Sequence, residues 1–355
     1  MFSAIGYYID PRKRKILAIS GLILGFIIFI SKYIQKSIQN YQSKQFVSYL
    51  ERSRKFQHYE STERTCNQAI QGFTSNICDN LMKQINTGDI LDKLKTKEGD
   101  KVSLWNELKI KTFVRLTTLI YSLSLITITL RVQVNILGGF LFKNTEKQSN
   151  IIITDEMRLK YLSLSQHFLD IGIHNLQRVV DVKIRELMNS YELKQQLSLA
   201  EIEKLFWTIQ TAMHSEFSRS NKISEYVLPK NFVGCKVLEE MFLDTVDILE
   251  NSEISLLFGN NVCDSFSVAV DCISEYFRCN ETSQKNGGSN ENFANINEIK
   301  LPLAKIIPIV NCLTSNGVKK ADHKSVNIVS TVLPFLLSSE KNIALGANIY
   351  EVFSN

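Results

Sequence analysis

The sequence predicts an all-α protein: a single elongated helical bundle around one long central helix, with an N-terminal transmembrane anchor helix. Three observations carry this. The first is the stretch from Leu104 to Phe142, where Trp105, Leu108, Thr112, Leu116, Leu119, Leu123, Ile126, Leu130, Val134, Leu137 and Leu141 recur at helical spacing. Only Thr112 is polar, so the stripe describes one helix of roughly 38 residues, or about 57 Å. The second is the near absence of partner-strand patterns and of Pro- or Gly-rich linkers, with 5 prolines in 355 residues. The third is a basic cluster followed by an apolar run at the N-terminus.

The central stretch carries two competing patterns. Ile126, Ile128, Leu130, Val132, Val134 and Ile136 alternate with Thr127, Thr129, Arg131, Gln133 and Asn135, the period-two signature of a half-buried strand in β-branched residues. The three-four stripe starts twenty residues earlier and continues through the alternation, which favours a buried helix. The uncharged run from Leu116 to Leu130 also suggests a membrane span, but about 15 residues rich in Ser and Thr fall short of the ~20 apolar residues a span needs.

In chain order, Arg12-Lys13-Arg14-Lys15 precedes the uncharged run from Ile16 to Ile30, and Lys32 comes next. No small-residue cleavage site comes after it, so the run reads as a retained anchor over residues 16–31, behind a short basic tail over 1–15. At about 16 residues and ~24 Å it is short for a hydrocarbon core near 30 Å, and flanking Lys and Arg can snorkel. A buried core helix is the alternative. Tyr33 to Gln57 continues helical and polar. Thr62 to Ile85 forms a second helix burying Ile70, Phe73, Ile77, Leu81 and Ile85. Gly88 opens a connection, Ile90 to Lys95 forms a short helix, and Gly99-Asp100 leads into the central one.

Beyond it, Lys143 to Asn150 is a loop. Glu156 to Ser190 is helical through Leu159, Leu162, Phe168, Ile171, Leu176 and Val179. Ser198 to Glu201 is a capping box opening a helix to Phe217. Further helices cover Val233 to Leu249 and Ile254 to Phe277. Ser283 to Glu298, rich in Asn, Gly and Ser, is a loop. Pro302 stands where a first-turn proline is tolerated, and Pro308 kinks or ends the helix that starts there. Asn316 to Lys324 is a loop, and helices over Val326 to Leu337 and Asn342 to Phe353 close the chain, split by Pro334.

The chemistry is sparse. A formal charge of +5, partly N-terminal, gives no case for nucleic acid. Seven cysteines without a C-x-x-C read as small buried hydrophobes of a protein kept reduced, with neither a disulfide framework nor a zinc site. His167 and His174 share a helical face without a carboxylate or third His in register, so no metal is expected. No nucleophile elbow, Walker loop, dinucleotide fingerprint or H-E-x-x-H is present. The expectation is a protein with no catalytic residues and no cofactor, not an enzyme.

Leu104-Trp105-Asn106-Glu107-Leu108-Lys109-Ile110, then Leu130 to Ile136 with Gly138-Gly139, and later Leu301-Pro302-Leu303-Ala304-Lys305-Ile306-Ile307-Pro308-Ile309-Val310-Asn311 resemble the peroxin-3 family. The likeness extends to the N-terminus and to Glu60-Ser61 with Arg64-Thr65-Cys66-Asn67, and thins between about 218 and 297. It implies a docking receptor in the peroxisomal membrane, single-pass, with residues 32–355 as a cytosolic helical domain. That domain would receive the N-terminal amphipathic helix of the carrier peroxin-19 and support insertion of peroxisomal membrane proteins and peroxisome biogenesis. Peroxisomal membrane lipid is the other implied partner, with room for peroxisome inheritance or turnover factors. The family's groove lies at the membrane-distal end, around the start of the long helix, and the matching positions are Leu94, Lys95, Trp105, Leu108, Pro302 and Lys305. Lys109, Lys111 and Arg115 read as surface or rim charges. The positive-inside rule slightly favours a cytosolic N-terminus, opposite to the family's topology. Unpaired cysteines suit the family's placement in a reducing compartment, where the sequon Asn280-Glu281-Thr282 would stay unused. The competing function is a membrane-anchored tether or lipid-acting enzyme with a different partner.

Overall fold

The structure, a computed structural model, describes residues 11–147, 153–220, 223–284, 298–315 and 327–355, except the side chains of 11–30, 146–147, 218–220 and 278–284. The chain divides into two units, Met1–His58 and Tyr59–Asn355. In the first, helix α1 (Pro11–Gln84) begins, and residues 31–50 are exposed on every face, Tyr33, Ile34, Tyr41 and Phe46 included. The side chains of the expected anchor, up to residue 30, lie outside the described residues.

The second unit starts inside α1. The two helices expected around residue 60 are one, because no Pro or Gly separates Gly25 from Gly72. Ile70, Ile77 and Leu81 are buried along it and Ile85 just past its end, as the spacing requires, together with Cys66, while Phe73 is only half-buried. Helices α2 (Gly88–Thr96) and α3 (Lys101–Lys147) come next. α3 continues through the start of the expected loop at Lys143, while 148–150 lie outside the described residues.

Every residue of α3 from Thr112 to Gly139 is buried. It has the length and apolarity of a membrane span, yet it is a core helix, packed against α5, α9, α10 and α12. The alternation is accommodated in the helix in part by back-bonding, at Thr129 and Asn135, and in part by reach, Arg131 and Gln133 donating to Leu337 O and Tyr161 O, while Thr127 has no partner among the described residues. Thr118, Ser124 and Thr129 donate their hydroxyls to Val114 O at 2.7 Å, Ile120 O at 3.0 Å and Leu125 O at 2.8 Å, and Asn135 donates to Arg131 O at 2.9 Å. Polar side chains that bond the carbonyl four residues back need no outside face.

After α3 come α4 (Asp155–Leu162), a 3-10 turn (Ser163–Ser165), a π-helical turn (Phe168–Gly172) and α5 (Ile173–Met188). The expected stripe fails here in part: Leu159 is 71% and Ile171 50% exposed, while Phe168 and Leu176 are buried. The two irregular turns change the residues per turn, so a single 3.6 period cannot track the buried face. The π turn sits where α7 (Ile223–Val227) comes close, and a methyl on Gly172 would overlap the carbonyl oxygen of Tyr226.

Strand β1 (Gln196–Leu197) pairs antiparallel with β2 (Leu301–Pro302), in the register Gln196 to Pro302 and Leu197 to Leu301. Between them lie α6 (Leu199–Ser220), α7, α8 (Lys236–Leu249) and α9 (Ser252–Gln284). The capping box holds: Ser198 N–H donates to Glu201 Oε2 at 2.7 Å and Glu201 N–H to Ser198 Oγ at 3.3 Å. These bonds hold the Glu201 carboxyl below its usual range. The loop expected from Ser283 lies largely outside the described residues, and that from Asn316 to Lys324 lies wholly outside them.

Helices α10 (Leu303–Thr314), α11 (Ile328–Ser338) and α12 (Glu340–Ser354) complete the unit. Pro308 does not end α10, and the final break falls at Ser339 rather than Pro334, with a 48° bend between α11 and α12. Both prolines are exposed, so their missing N–H groups weaken the ladder on its solvent side. Of the described cysteines, all unpaired, Cys66 and Cys272 are buried as expected, but Cys235, Cys263 and Cys312 are exposed. Burial pushes the Cys66 thiol up to about 12.

Gly172→Ala forces either α7 or the π turn to move and is expected to cost about 1–3 kcal/mol of stability. A circular dichroism melt checks it; an unchanged midpoint would mean that the approach of Tyr226 is slack.

Candidate docking site

The site is built on the first turns of α3 and on the segments tied to them. Lys97 ends α2 in the left-handed conformation at φ 61°, and Glu98 N–H returns to Lys93 O at 3.1 Å. Gly99 at φ 87° turns the chain, and Asp100 then caps α3 by accepting from Val102 N–H at 3.1 Å and Ser103 N–H at 3.2 Å. The carboxylate satisfies free amides and sits at the positive end of the helix dipole. Trp105, one turn in, is half-buried and packs on the core, as do Leu94 and Leu104.

Lys109 is 4% exposed, and this corrects its reading as a rim charge. Its ammonium donates to Met188 O at 2.9 Å and Tyr191 O at 2.7 Å. It therefore fills the carbonyl end of α5, where the helix dipole favours a cation. Burial lowers its pKa. From Tyr191 the chain runs to Leu193 and Gln195, whose carbonyls accept from Ala304 N–H at 3.0 Å and Leu303 N–H at 2.9 Å. Those are the free amides at the start of α10, so the first turn of α10, with Pro302 and Lys305, is tied through Tyr191 to Lys109.

Arg115 is corrected in the same way: it is 1% exposed. It donates to Thr314 Oγ1 at 2.8 Å, Thr87 Oγ1 at 3.2 Å, Asn311 O at 2.9 Å and Asn311 Oδ1 at 2.6 Å. All four acceptors are neutral. Burial without a counter-ion brings its pKa down to about 10, which leaves it charged at neutral pH. It joins the start of α2 and the end of α10 to α3. Lys111 alone of the three basic residues behaves as a rim charge, partly exposed and 3.4 Å from Glu107.

Of the six expected site residues, Trp105, Leu94 and Pro302 are half-buried, and Lys305 and Lys95 are exposed. Lys95 pairs with Asp92 at 2.9 Å. Leu108 is fully buried, so it belongs to the core and offers no surface of its own. The six positions lie on α2, the first turns of α3 and the start of α10, elements that Lys109 and Arg115 tie together. The locking residues carry a signal in the sequence, since both fall beside the apolar stripe at Leu108, Thr112 and Leu116.

The peroxin-3 family model matches residues 95–140 and 143–350. The chain belongs to the peroxin-3 family. Peroxisomal biogenesis factor 3 of Homo sapiens is 28% identical over 381 aligned residues, covering 100% of this chain and 98% of that protein. The Bos taurus protein of the same name is 27% identical with the same coverage. Peroxisome biogenesis protein 3-1 of Arabidopsis thaliana is 28% identical over 137 residues, covering 35% of this chain. As a peroxin-3 protein the chain keeps the family pattern through residues 218–297, where the sequence carries no motif of its own. All six site positions lie within or one residue outside the matched segments.

Lys109→Met would leave the Met188 and Tyr191 carbonyls without their donor, at about 1–3 kcal/mol for each group that stays buried. The expected result is a lowered unfolding midpoint in denaturant; a midpoint within error of the parent would show that water replaces the ammonium.

Proposed function

We propose that this chain is a docking receptor of the peroxisomal membrane, anchored by residues 16–31 with the bulk of the chain in the cytosol. In this reading it binds the amphipathic N-terminal helix of the carrier peroxin-19 at the start of α3, and so supports membrane-protein insertion during peroxisome biogenesis. The observation that supports it most is Trp105, a half-open aromatic on a helix held in the core by Leu108 and Lys109, in a chain of the peroxin-3 family.

A visiting helix needs an apolar strip and rim charges. Trp105, Leu94 and Pro302 supply the strip. Lys305, which forms no ion pair among the described residues, and Lys95 supply charge for acidic residues of the partner, acting on encounter more than on affinity. The platform is preorganised, because Arg115 and Lys109 fix α2, α5 and α10 to α3 before any partner arrives. Little ordering is then left to oppose binding.

Trp105→Ala is expected to weaken binding of a labelled carrier helix by about 2–4 kcal/mol, the range of a central aromatic anchor. Fluorescence anisotropy on the full chain in nanodiscs reads this, with circular dichroism to show that the fold persists. Equal affinity in a folded variant would refute the site. Lys305→Glu is expected to slow association and flatten its salt dependence; an unaltered on-rate in stopped flow would remove Lys305 from the rim.

A further inference from the structure

A second site lies on α6 and α9, built from residues that the docking site does not use. A cavity of about 360 Å³ opens between these helices over Tyr121 of α3. Its floor is aromatic: Tyr121 stacks on Phe217 at 5.5 Å between ring centroids and meets Phe258 edge-on at 5.8 Å. Trp207, 65% exposed, stands at its mouth. A second cavity of about 350 Å³ shares Trp207, Gln210 and Cys263 with the first and adds Phe206, Phe266 and Val270, with Glu203 and Lys204 on its α6 side, so the two adjoin along α6. Glu203 to His214 spans about 16 Å of that helix.

Two features have no role in the fold. Tyr121 is 3% exposed, and its hydroxyl, which makes no hydrogen bond to another described residue, is not sealed off but reaches the cavity it lines. A hydroxyl so placed has only water or a ligand to bond. Gly259 lines the cavity from inside α9, where glycine costs about 1 kcal/mol relative to alanine. Its φ is ordinary and a Cβ there would meet nothing within 4 Å, so neither backbone nor packing requires it. What it preserves is open space.

We infer that this groove binds an uncharged single-chain amphiphile, its polar oxygen bonded to the Tyr121 hydroxyl and its chain lying past Trp207 into the second cavity. The absence of charge is dictated by the lining. The cavity over Tyr121 has no Lys, Arg, Asp or Glu, only His214. A carboxylate or phosphate head would lose its hydration there without a compensating cation. The aromatic floor and the apolar wall of Val262 and Ile223 receive methylene groups, each worth a several-fold gain in affinity when fully covered.

Cys263 lines both cavities and is exposed, while Cys235 and Cys312 are exposed elsewhere. The test measures alkylation of all three by N-ethylmaleimide, using mass spectrometry on the full chain in nanodiscs of uncharged lipid. The probes are 1-dodecanol, dodecane and dodecanoate at equal loading. The expected result is at least fivefold slower alkylation of Cys263 with 1-dodecanol and no change at Cys235 or Cys312. Dodecane and dodecanoate should need about tenfold more for the same effect. Tyr121→Phe, which removes only an unpartnered hydroxyl, should raise the half-protecting concentration of the alcohol about 2- to 10-fold. Gly259→Leu should abolish the response in a folded protein. Absence of protection, equal protection by dodecanoate or dodecane, or indifference to Tyr121→Phe would each overturn the inference.

Discussion

A helix with no solvent face is the constraint on which the second unit depends. From Thr112 to Gly139, α3 is covered on all sides, so its polar groups have only the protein itself to bond. Thr118, Ser124 and Thr129 turn back onto the helix's own carbonyls, while Thr112, Thr117, Ser122 and Thr127 have no partner among the described residues. The cations cannot, and their reach fixes the neighbouring helices. Lys109 holds the end of α5, Arg115 the start of α2 and the end of α10. Arg131 pairs with Glu63 of α1 and donates to Asn67 Oδ1 at 3.2 Å and Leu337 O at 2.9 Å. Losing one member of such a buried set costs more than the set contributes over an apolar replacement. Its value here is positional: it specifies which helix end meets which turn of α3.

The same constraint separates the proposed docking site from the core. Ahead of Thr112 the cover thins, and Trp105 emerges half-exposed where α3 is still held by Asp100 below its first turn and by Lys109 one turn further on. A residue in that position combines a fixed rotamer environment with accessible apolar surface. Leu108, on the same stripe, falls inside the cover. The stripe that predicts the helix therefore also contains Trp105 of the proposed site, and its buried part begins where the ends of α2, α5 and α10 meet α3.

Much of this was legible in the residues. The three-four stripe located α3, the capping box located α6, and Ile70, Ile77, Leu81 and Ile85 marked the buried face of α1. The failures have local reasons. The 3-10 and π turns between α4 and α5 break the single period that joined Leu159 to Ile171, because an irregular turn leaves no mark in a hydrophobic pattern. Pro308 and Pro334 sit on exposed faces, where a missing N–H is tolerated. Lys109 and Arg115 read as rim charges because their acceptors come from residues 79 to 199 positions away, or from Thr87 across a connection. Single-sequence periodicity records which face is covered and is silent on which carbonyl ends lie over it.

Hydrogen–deuterium exchange on the full chain, with and without the peroxin-19 N-terminal helix, tests the central claim most directly. Added protection confined to the turns around Leu94 to Leu108 and to the start of α10 at Leu301 to Lys305 is the result this account requires. Binding that leaves those segments unchanged and protects α6 and α9 instead would contradict it.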